Sequence, residues 1–168
     1  LRKAGDFGAA AELYQQGYAE AVRRGDKLAA VRFLISVGGC RFGQFHYQEA
    51  LATFLQARGL ARAIQDGPDL GAIAVNLSSL YFLVWDISAA TRAADDGLAE
   101  LSKASTAKHP HSYFETPLLM QLGRLHAMLG DSRAQQEYAA GIEAAQTQGN
   151  DTTTEALAWD LLGELRLA

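Results

Sequence analysis

Residues 159–163 read WDLLG, which places an aromatic, an apolar residue and a glycine at the spacing that lets two helices pack closely. Looser copies of this stretch lie at residues 34–38, 74–81 and 119–123. The small residue therefore falls at positions 38, 78, 123 and 163, in steps of 40, 45 and 40 residues. Repetition at such a period is typical of a solenoid, in which each unit buries its apolar face against its neighbours.

The composition is that of a folded protein with one domain. Of the 168 residues, 49% are hydrophobic and 20% are charged, and the formal net charge is -4. Basic and acidic residues are interspersed, so no segment resembles a basic nucleic-acid arm or a polybasic membrane patch. We therefore expect no nucleic-acid partner and no membrane partner.

The sequence also bears on location. The longest uncharged stretch, residues 70–85, contains Asn76, Ser78 and Ser79, and is too short and too polar for a membrane span. The single cysteine, Cys40, excludes an internal disulfide and suits a reducing compartment. The first ten residues contain no apolar core of secretory-signal length. These features favour a cytoplasmic protein.

Helix is the predicted structure for nearly the whole chain. Apolar residues recur at spacings of three and four, and prolines are few. Breaks at 25–26, 66–69, 130–131 and 149–151 combine a residue that stops a helix with a side chain that caps the next one. The pattern predicts eight helices, at about 8–24, 27–43, 47–65, 69–84, 87–103, 113–129, 131–148 and 152–167.

Short connections make consecutive helices antiparallel neighbours, so the eight helices form hairpins. The one long connection, residues 104–112, accounts for the 45-residue step and is interpreted as an insertion between repeats. We expect one continuous array: a partial repeat at 1–26, repeats at about 27–68, 69–112 and 113–150, and a partial repeat at 151–168. The chain is interpreted as a piece cut from a longer array.

This pattern resembles the tetratricopeptide repeat family, whose unit is a helical hairpin with W-x2-L-G-x2-Y in its first helix and an alanine and an aromatic in its second. The second-helix matches are Phe7, Ala10 and Tyr14, then Tyr47, Ala50 and Phe54, then Ile87, Ala90 and Ala94, and, displaced by one residue, Ala134 and Tyr138. Four residues depart from the first-helix pattern: Ser78 replaces a glycine, and Arg41, His126 and Arg166 replace an aromatic.

The resemblance implies an all-α fold, an α-solenoid of antiparallel helical hairpins wound into a right-handed superhelix. A 40-residue unit is similar to the long repeats of kinesin light chains, of bacterial signalling regulators and of proteins with a caspase-like CHAT peptidase domain. Each small residue is expected at a helix crossing, where a bulky side chain would wedge the hairpin open.

The resemblance also implies a binding groove on the concave face, lined by the first helix of each hairpin. The residues that the family pattern points into this groove are Arg32, Ile35, Ser36, Phe42, Gly43, Val75, Asn76, Ser79, Phe82, Leu83, Met120, Gln121, Arg124, Met128, Leu157, Asp160, Leu161 and Glu164. The Lys and Asn clamp with which chaperone-binding members hold a terminal carboxylate is absent, because no such Lys is available.

Several of these residues have a second interpretation. Asn76 resembles the groove asparagine of the family, and its amide can both donate to and accept from a peptide backbone, or it can serve as an ordinary surface residue. Phe42, Phe82, Met120 and Met128 can form adaptable apolar pockets or pack between hairpins. Arg32 and Arg124 can pair with a carboxylate or phosphate, or remain solvated.

The sequence offers few candidates for catalysis. Cys40 is predicted to be buried packing, and His109 and His111 flank Pro110 with no cysteine or carboxylate cluster near them in sequence. No phosphate loop or HExxH motif occurs. We therefore expect no catalytic residue, no cofactor and no metal.

The function expected from these features is that of a non-enzymatic scaffold that binds a protein or peptide segment in its groove, with self-association through the open repeat ends as a further possibility. Two alternatives remain. The chain is a recruiting or regulatory segment of a larger enzyme such as a CHAT-type peptidase, or part of a signalling or transcription regulator that also carries a DNA-binding domain.

Overall fold

The computed structural model describes residues 6–104, 113–147 and 163, and this part of the chain is all-helical, with no strand. Its helices are α1 (Phe7–Arg24), α2 (Lys27–Gly43), α3 (Tyr47–Ile64), α4 (Gly67–Leu83), α5 (Ile87–Ala104), α6 (Glu115–Met128) and α7 (Arg133–Thr147). The all-α prediction is confirmed. Seven of the eight predicted helices are present within a few residues of their expected bounds, and the eighth, 152–167, lies outside the described residues except for Gly163.

The first five helices begin at a regular step of 20 residues, at positions 7, 27, 47, 67 and 87. An aspartate precedes four of these starts, and its carboxylate accepts a hydrogen bond from the backbone N–H three residues on. The donors are the N–H groups of Ala9, Ala29, Asp69 and Ala89, and the acceptors are Asp6, Asp26, Asp66 and Asp86. Because such caps satisfy N–H groups that the helix leaves free, they fix where each helix begins.

The helices α1 to α4 and α6 all end in the same backbone motif. In α2, the N–H of His46 donates to the carbonyl of Arg41 at 2.9 Å, and the N–H of Phe45 donates to Phe42. This pair of bonds requires a left-handed residue at the end of the helix. The residues in that conformation have φ between 56° and 71°, and they are Gly25, Phe45, Gln65, Trp85 and Gly130. The tight turns that result place consecutive helices antiparallel to each other.

Every helix packs against the next one in sequence, and the next most extensive contacts join α2 to α4 and α4 to α6. Because consecutive helices are antiparallel, α2, α4 and α6 run in the same direction and lie side by side. Contact is more extensive within α2–α3, α4–α5 and α6–α7 than between α3 and α4 or α5 and α6. Among α2 to α7 the closest pairs are therefore α2–α3, α4–α5 and α6–α7, although α1 also contacts α2 as extensively as α3 does.

Two glycines of the repeated pattern lie at close helix crossings. A Cβ added to Gly38 would lie 2.8 Å from the ring of Phe54, and one added to Gly123 would lie 2.5 Å from the ring of Tyr138. Both rings are buried in the core. A larger side chain at either glycine would displace the ring. Gly163 differs, because it is exposed and no described atom lies within 4 Å of an added Cβ.

In two hairpins a basic residue that contacts a glutamate replaces the expected aromatic. The Arg41 guanidinium lies 3.3 Å from the Glu49 carboxylate, between α2 and α3. The His126 Nδ1 lies 2.6 Å from a carboxylate oxygen of Glu137, between α6 and α7. His126 is only 1% exposed. In both cases the second helix of the hairpin supplies a carboxylate that contacts the basic residue of the first helix. This contact offsets the cost of placing a polar side chain between two packed helices.

Candidate binding face

The candidate binding face consists of the residues of α2, α4 and α6 that the repeat pattern selects. Ser36, Asn76 and Gln121 each lie two residues before a small residue of the pattern. All three are partly exposed. Because α2, α4 and α6 lie side by side in the same direction, these equivalent positions form a polar row across three helices. The polar row (Ser36, Asn76, Gln121) is the central feature of the face.

Side chains of the face donate hydrogen bonds to their own helices. Ser36 Oγ donates to the carbonyl of Arg32 at 3.1 Å, Asn76 Nδ2 to Ala72 at 2.8 Å, and Ser79 Oγ to Val75 at 2.9 Å. Each serine thereby uses its hydroxyl hydrogen, and Asn76 uses one of its two amide hydrogens. The serine oxygens and the Asn76 amide keep acceptor capacity, and Asn76 keeps one donor. The backbone of an extended peptide offers N–H groups that can donate to these acceptors and C=O groups that can accept from the remaining Asn76 donor.

An apolar row lies beside the polar row, one residue earlier in each helix. Ile35 and Val75 are half-buried and pack against the core. Met120 is 8% exposed, and a Cβ built on Gly141 of α7 would lie 3.3 Å from its sulfur. Met120 therefore packs within the α6–α7 hairpin, and it offers little surface to a partner.

The two arginines of the face are in different environments. Arg32 is exposed, but its Nε lies 3.2 Å from Asp69 Oδ2, so it joins α2 to α4. The Asp69 side chain is mostly buried, which raises the pKa of its carboxyl group, and Asp66 raises that pKa further while Arg32 opposes the shift. Arg124 is exposed and forms no ion pair with the described residues. Arg124 is thus the cation of this face that is available to an acidic group.

The remaining residues lie toward the C-terminal ends of α2, α4 and α6. Phe42 is half-buried, and its ring centroid lies 5.6 Å from that of Tyr47. Phe82 is half-buried with its ring 6.3 Å from Trp85, whereas Leu83 and Met128 are about half exposed. Gly43 lies against the ring of Phe7. Leu157, Asp160, Leu161 and Glu164 lie outside the described residues.

Two exposed aromatic residues were missed by the sequence pattern. Phe45 is 76% exposed and Trp85 is 72% exposed, and each follows a small residue of the pattern by seven positions. Gly130 stands at the same position of the third hairpin. A comparison of the equivalent turn positions in the sequence would have found them, because an aromatic residue occupies a position where a glycine is expected.

No grouping of three or more His, Cys, Asp or Glu side chains able to hold a metal ion occurs in the described part of the chain. Cys40 is buried beside Ala10 and Ala11, where α1 packs on α2. His109 and His111 lie outside the described residues. An open cavity of about 450 Å³ lies apart from the candidate face, where the α3–α4 turn meets the end of α5; its lining comprises Arg62, Gln65, Gly67, Leu70, Glu100 and Lys103.

The structure thus defines the class of the protein as all-α, built from consecutively packed helices. A comparison with models of known protein families finds no match, and a comparison with curated proteins finds no similar sequence. None of the helices in the described ranges combines the length and the apolar character that crossing a bilayer requires.

Proposed function

We propose that the chain is an α-solenoid of the tetratricopeptide type and that it acts as a protein-binding or peptide-binding scaffold. In this proposal α2, α4 and α6 line a concave groove, and a partner segment lies across them in an extended conformation. The proposal assigns no reaction, cofactor or metal to the chain.

The observation that carries the proposal is the polar row. Ser36, Asn76 and Gln121 repeat at equivalent positions on three parallel neighbouring helices, which are about 8–10 Å apart by ordinary helix packing. An extended segment advances about 3.3 Å per residue, so every third residue of a partner reaches the next helix. Hydrogen bonds to the backbone of the partner segment are tolerant of its sequence. The side chains of the partner segment would meet the apolar row (Ile35, Val75) and Arg124.

The test is peptide selection on the immobilised chain, followed by affinity measurement for the selected peptides. We expect Asn76→Ala combined with Arg124→Ala to weaken binding by about tenfold or more, since two direct contacts are lost. The circular-dichroism melt should remain nearly unchanged, because both side chains are partly or fully exposed.

A matched control removes an amide and an arginine outside the face. Gln16→Ala with Arg23→Ala changes two exposed residues of α1 and should leave affinity unaltered. Unaltered affinity in the double variant of the face would refute the proposed groove, as would an equal loss in the control.

A further inference from the structure

An apolar edge runs along the turns that connect α2 to α3, α4 to α5 and α6 to α7. We call it the turn edge, and its exposed apolar residues are Phe45, Leu83, Val84, Trp85, Met128 and Leu129. The three turns lie on the same edge of the molecule because α2, α4 and α6 run side by side in the same direction. The Trp85 turn stands in the middle, with the Phe45 turn on one side and the Leu129 turn on the other.

The backbone at Phe45 and Trp85 is strained. Their φ angles are 63° and 60°, in the left-handed region that favours glycine, and Gly130 occupies the equivalent position of the third turn. An aromatic residue in this conformation is disfavoured relative to glycine, because its Cβ crowds the backbone. The backbone hydrogen bonds that close each turn offset part of this strain. The rings themselves add little within a single copy, because both are about three-quarters exposed. Their described ring contacts are with Tyr47, at 6.2 Å from Phe45, and Phe82, at 6.3 Å from Trp85.

The charged groups next to the turn edge are satisfied within the chain. Arg41 and His46 both face Glu49, and Asp131 pairs with Arg133 at 2.7 Å. The Arg133 hydrogen bonds lower the pKa of Asp131 to about 2, so this pair stays ionised at neutral pH. Asp86 caps α5. Two copies of this edge can therefore meet without strong repulsion between like charges.

The exposed area suits contact with a second copy. Phe45 and Trp85 together present about 300 Å², since an aromatic side chain buries roughly 150–250 Å² when covered. The four aliphatic and methionine side chains, each about half exposed, add an area of similar order. The total, about 600 Å², is about three-quarters of the roughly 800 Å² that each partner buries in a stable complex of standard size. It lies at the upper end of the largest apolar patch that a typical monomer exposes.

We propose that the chain forms a two-fold symmetric dimer through the turn edge. A two-fold axis that passes through the middle turn at right angles to the row of turns places Trp85 against Trp85 of the second copy, and it places Phe45 against Leu129 of the second copy. The pattern is self-complementary because the outer turns stand at equal helix steps from the centre, as an isologous interface requires.

Sedimentation equilibrium of the 168-residue chain tests the dimer. We expect a monomer–dimer equilibrium with a Kd of roughly 10–100 µM. Trp85→Asn should weaken it by about tenfold or more and Phe45→Asn by several-fold, since buried aromatics dominate such interfaces. Asparagine tolerates the left-handed conformation, so both variants should melt at or above the parent temperature when the melts are recorded well below the Kd, where the parent is monomeric. Leu13→Asn, at an apolar α1 residue that is 55% exposed, is the matched control and should leave the Kd unchanged.

Three outcomes would overturn the dimer. They are a parent chain that stays monomeric near 1 mM, a Kd that neither edge variant alters, and edge variants that melt several degrees lower well below the Kd, which would assign the aromatics to the fold of the monomer. Disulfide trapping tests the symmetry. Val84→Cys should cross-link to itself, while Phe45→Cys should cross-link to Leu129→Cys of another copy rather than to itself. Preferential self-linking of Phe45→Cys would contradict this placement of the two-fold axis.

Discussion

The hairpins α2–α3 and α4–α5 carry equivalent positions of the 40-residue sequence pattern, but different side chains fill their crossings. In α2–α3 a glycine, Gly38, lies against the fully buried ring of Phe54. In α4–α5 the equivalent residues are Ser78 and Ala94, and both are fully buried. One hairpin thus combines a very small residue with a large one, and the other combines two small residues.

The consequence is a difference in how closely the helices approach. The α4–α5 pair makes the most extensive contact of any helix pair in the described chain. A Cβ added to Gly97 of α5 would lie 2.3 Å from the Cβ of Ala74 on α4, and one added to Gly71 would meet Leu101. The α6–α7 hairpin follows the aromatic arrangement, with Gly123 against Tyr138. The comparison shows that side chains fill the crossing in each of these hairpins. What varies is how much of the side-chain volume at the crossing comes from each of the two helices.

The largest effect is expected from Phe54→Ala, which removes the ring that fills the α2–α3 crossing. Because Phe54 is fully buried, the change should lower the free energy of unfolding by about 3–5 kcal/mol, as measured by urea denaturation. Adding Gly38→Ser would give α2–α3 the residues that α4–α5 carries, and it should restore part of the loss. If the double variant is no more stable than Phe54→Ala alone, the two crossings are not interchangeable.

A smaller loss is expected from Gly97→Ala in the closely packed hairpin. The added methyl group meets the Cβ of Ala74, which cannot rotate away, so we expect a loss of about 1–3 kcal/mol. Gly59→Ala is the matched control in α3, where no atom lies within 4 Å of the new Cβ. It should stabilise the protein by about 0.5–1 kcal/mol through helix propensity. Equal thermal shifts for the two variants would refute the close approach of α4 and α5.

The smallest effect is a gain, from Ser78→Ala. The Ser78 hydroxyl is buried without a hydrogen-bond partner in the described part of the chain. Its removal should therefore raise the free energy of unfolding by about 1 kcal/mol, measured by denaturant titration. Ser36→Ala is the control, because the Ser36 hydroxyl is bonded to Arg32 and partly exposed, and it should change stability little. A loss of stability on Ser78→Ala would indicate that this hydroxyl does have a partner.

Much of the helical pattern could be predicted from the sequence, because its signals are local. The caps Asp26 and Asp66 and the stop at Gly25 fix their helix ends through hydrogen bonds over three to five residues. The 20-residue step of the first five helices was missed at α1 and α4, whose starts were predicted at 8 and 69 and lie at 7 and 67. The start of α3 was predicted correctly at 47, although His46 precedes that helix without capping it. The start of α7 was predicted two residues early, because Asp131 bonds to Arg133 in the turn.

The candidate face was harder to predict, because its chemistry depends on contacts between helices. The sequence does not indicate that Asp69 pairs with Arg32, because the two residues are 37 positions apart. Met120 was selected by its position in the repeat, but its exposure depends on Gly141, which leaves room for the sulfur. Phe45 and Trp85 were missed for a different reason: aromatic residues are expected in a core, and only the backbone geometry places these two outside it.

The packing of each helix against its neighbours in sequence also has a consequence for folding kinetics. The extensive contacts among the described helices join elements that are adjacent or next but one in the chain, so a short loop closes each contact. Proteins dominated by such local contacts fold in about microseconds to milliseconds, because little chain entropy is lost before a contact forms. In the proposed solenoid, folding would therefore start at any hairpin and spread helix by helix.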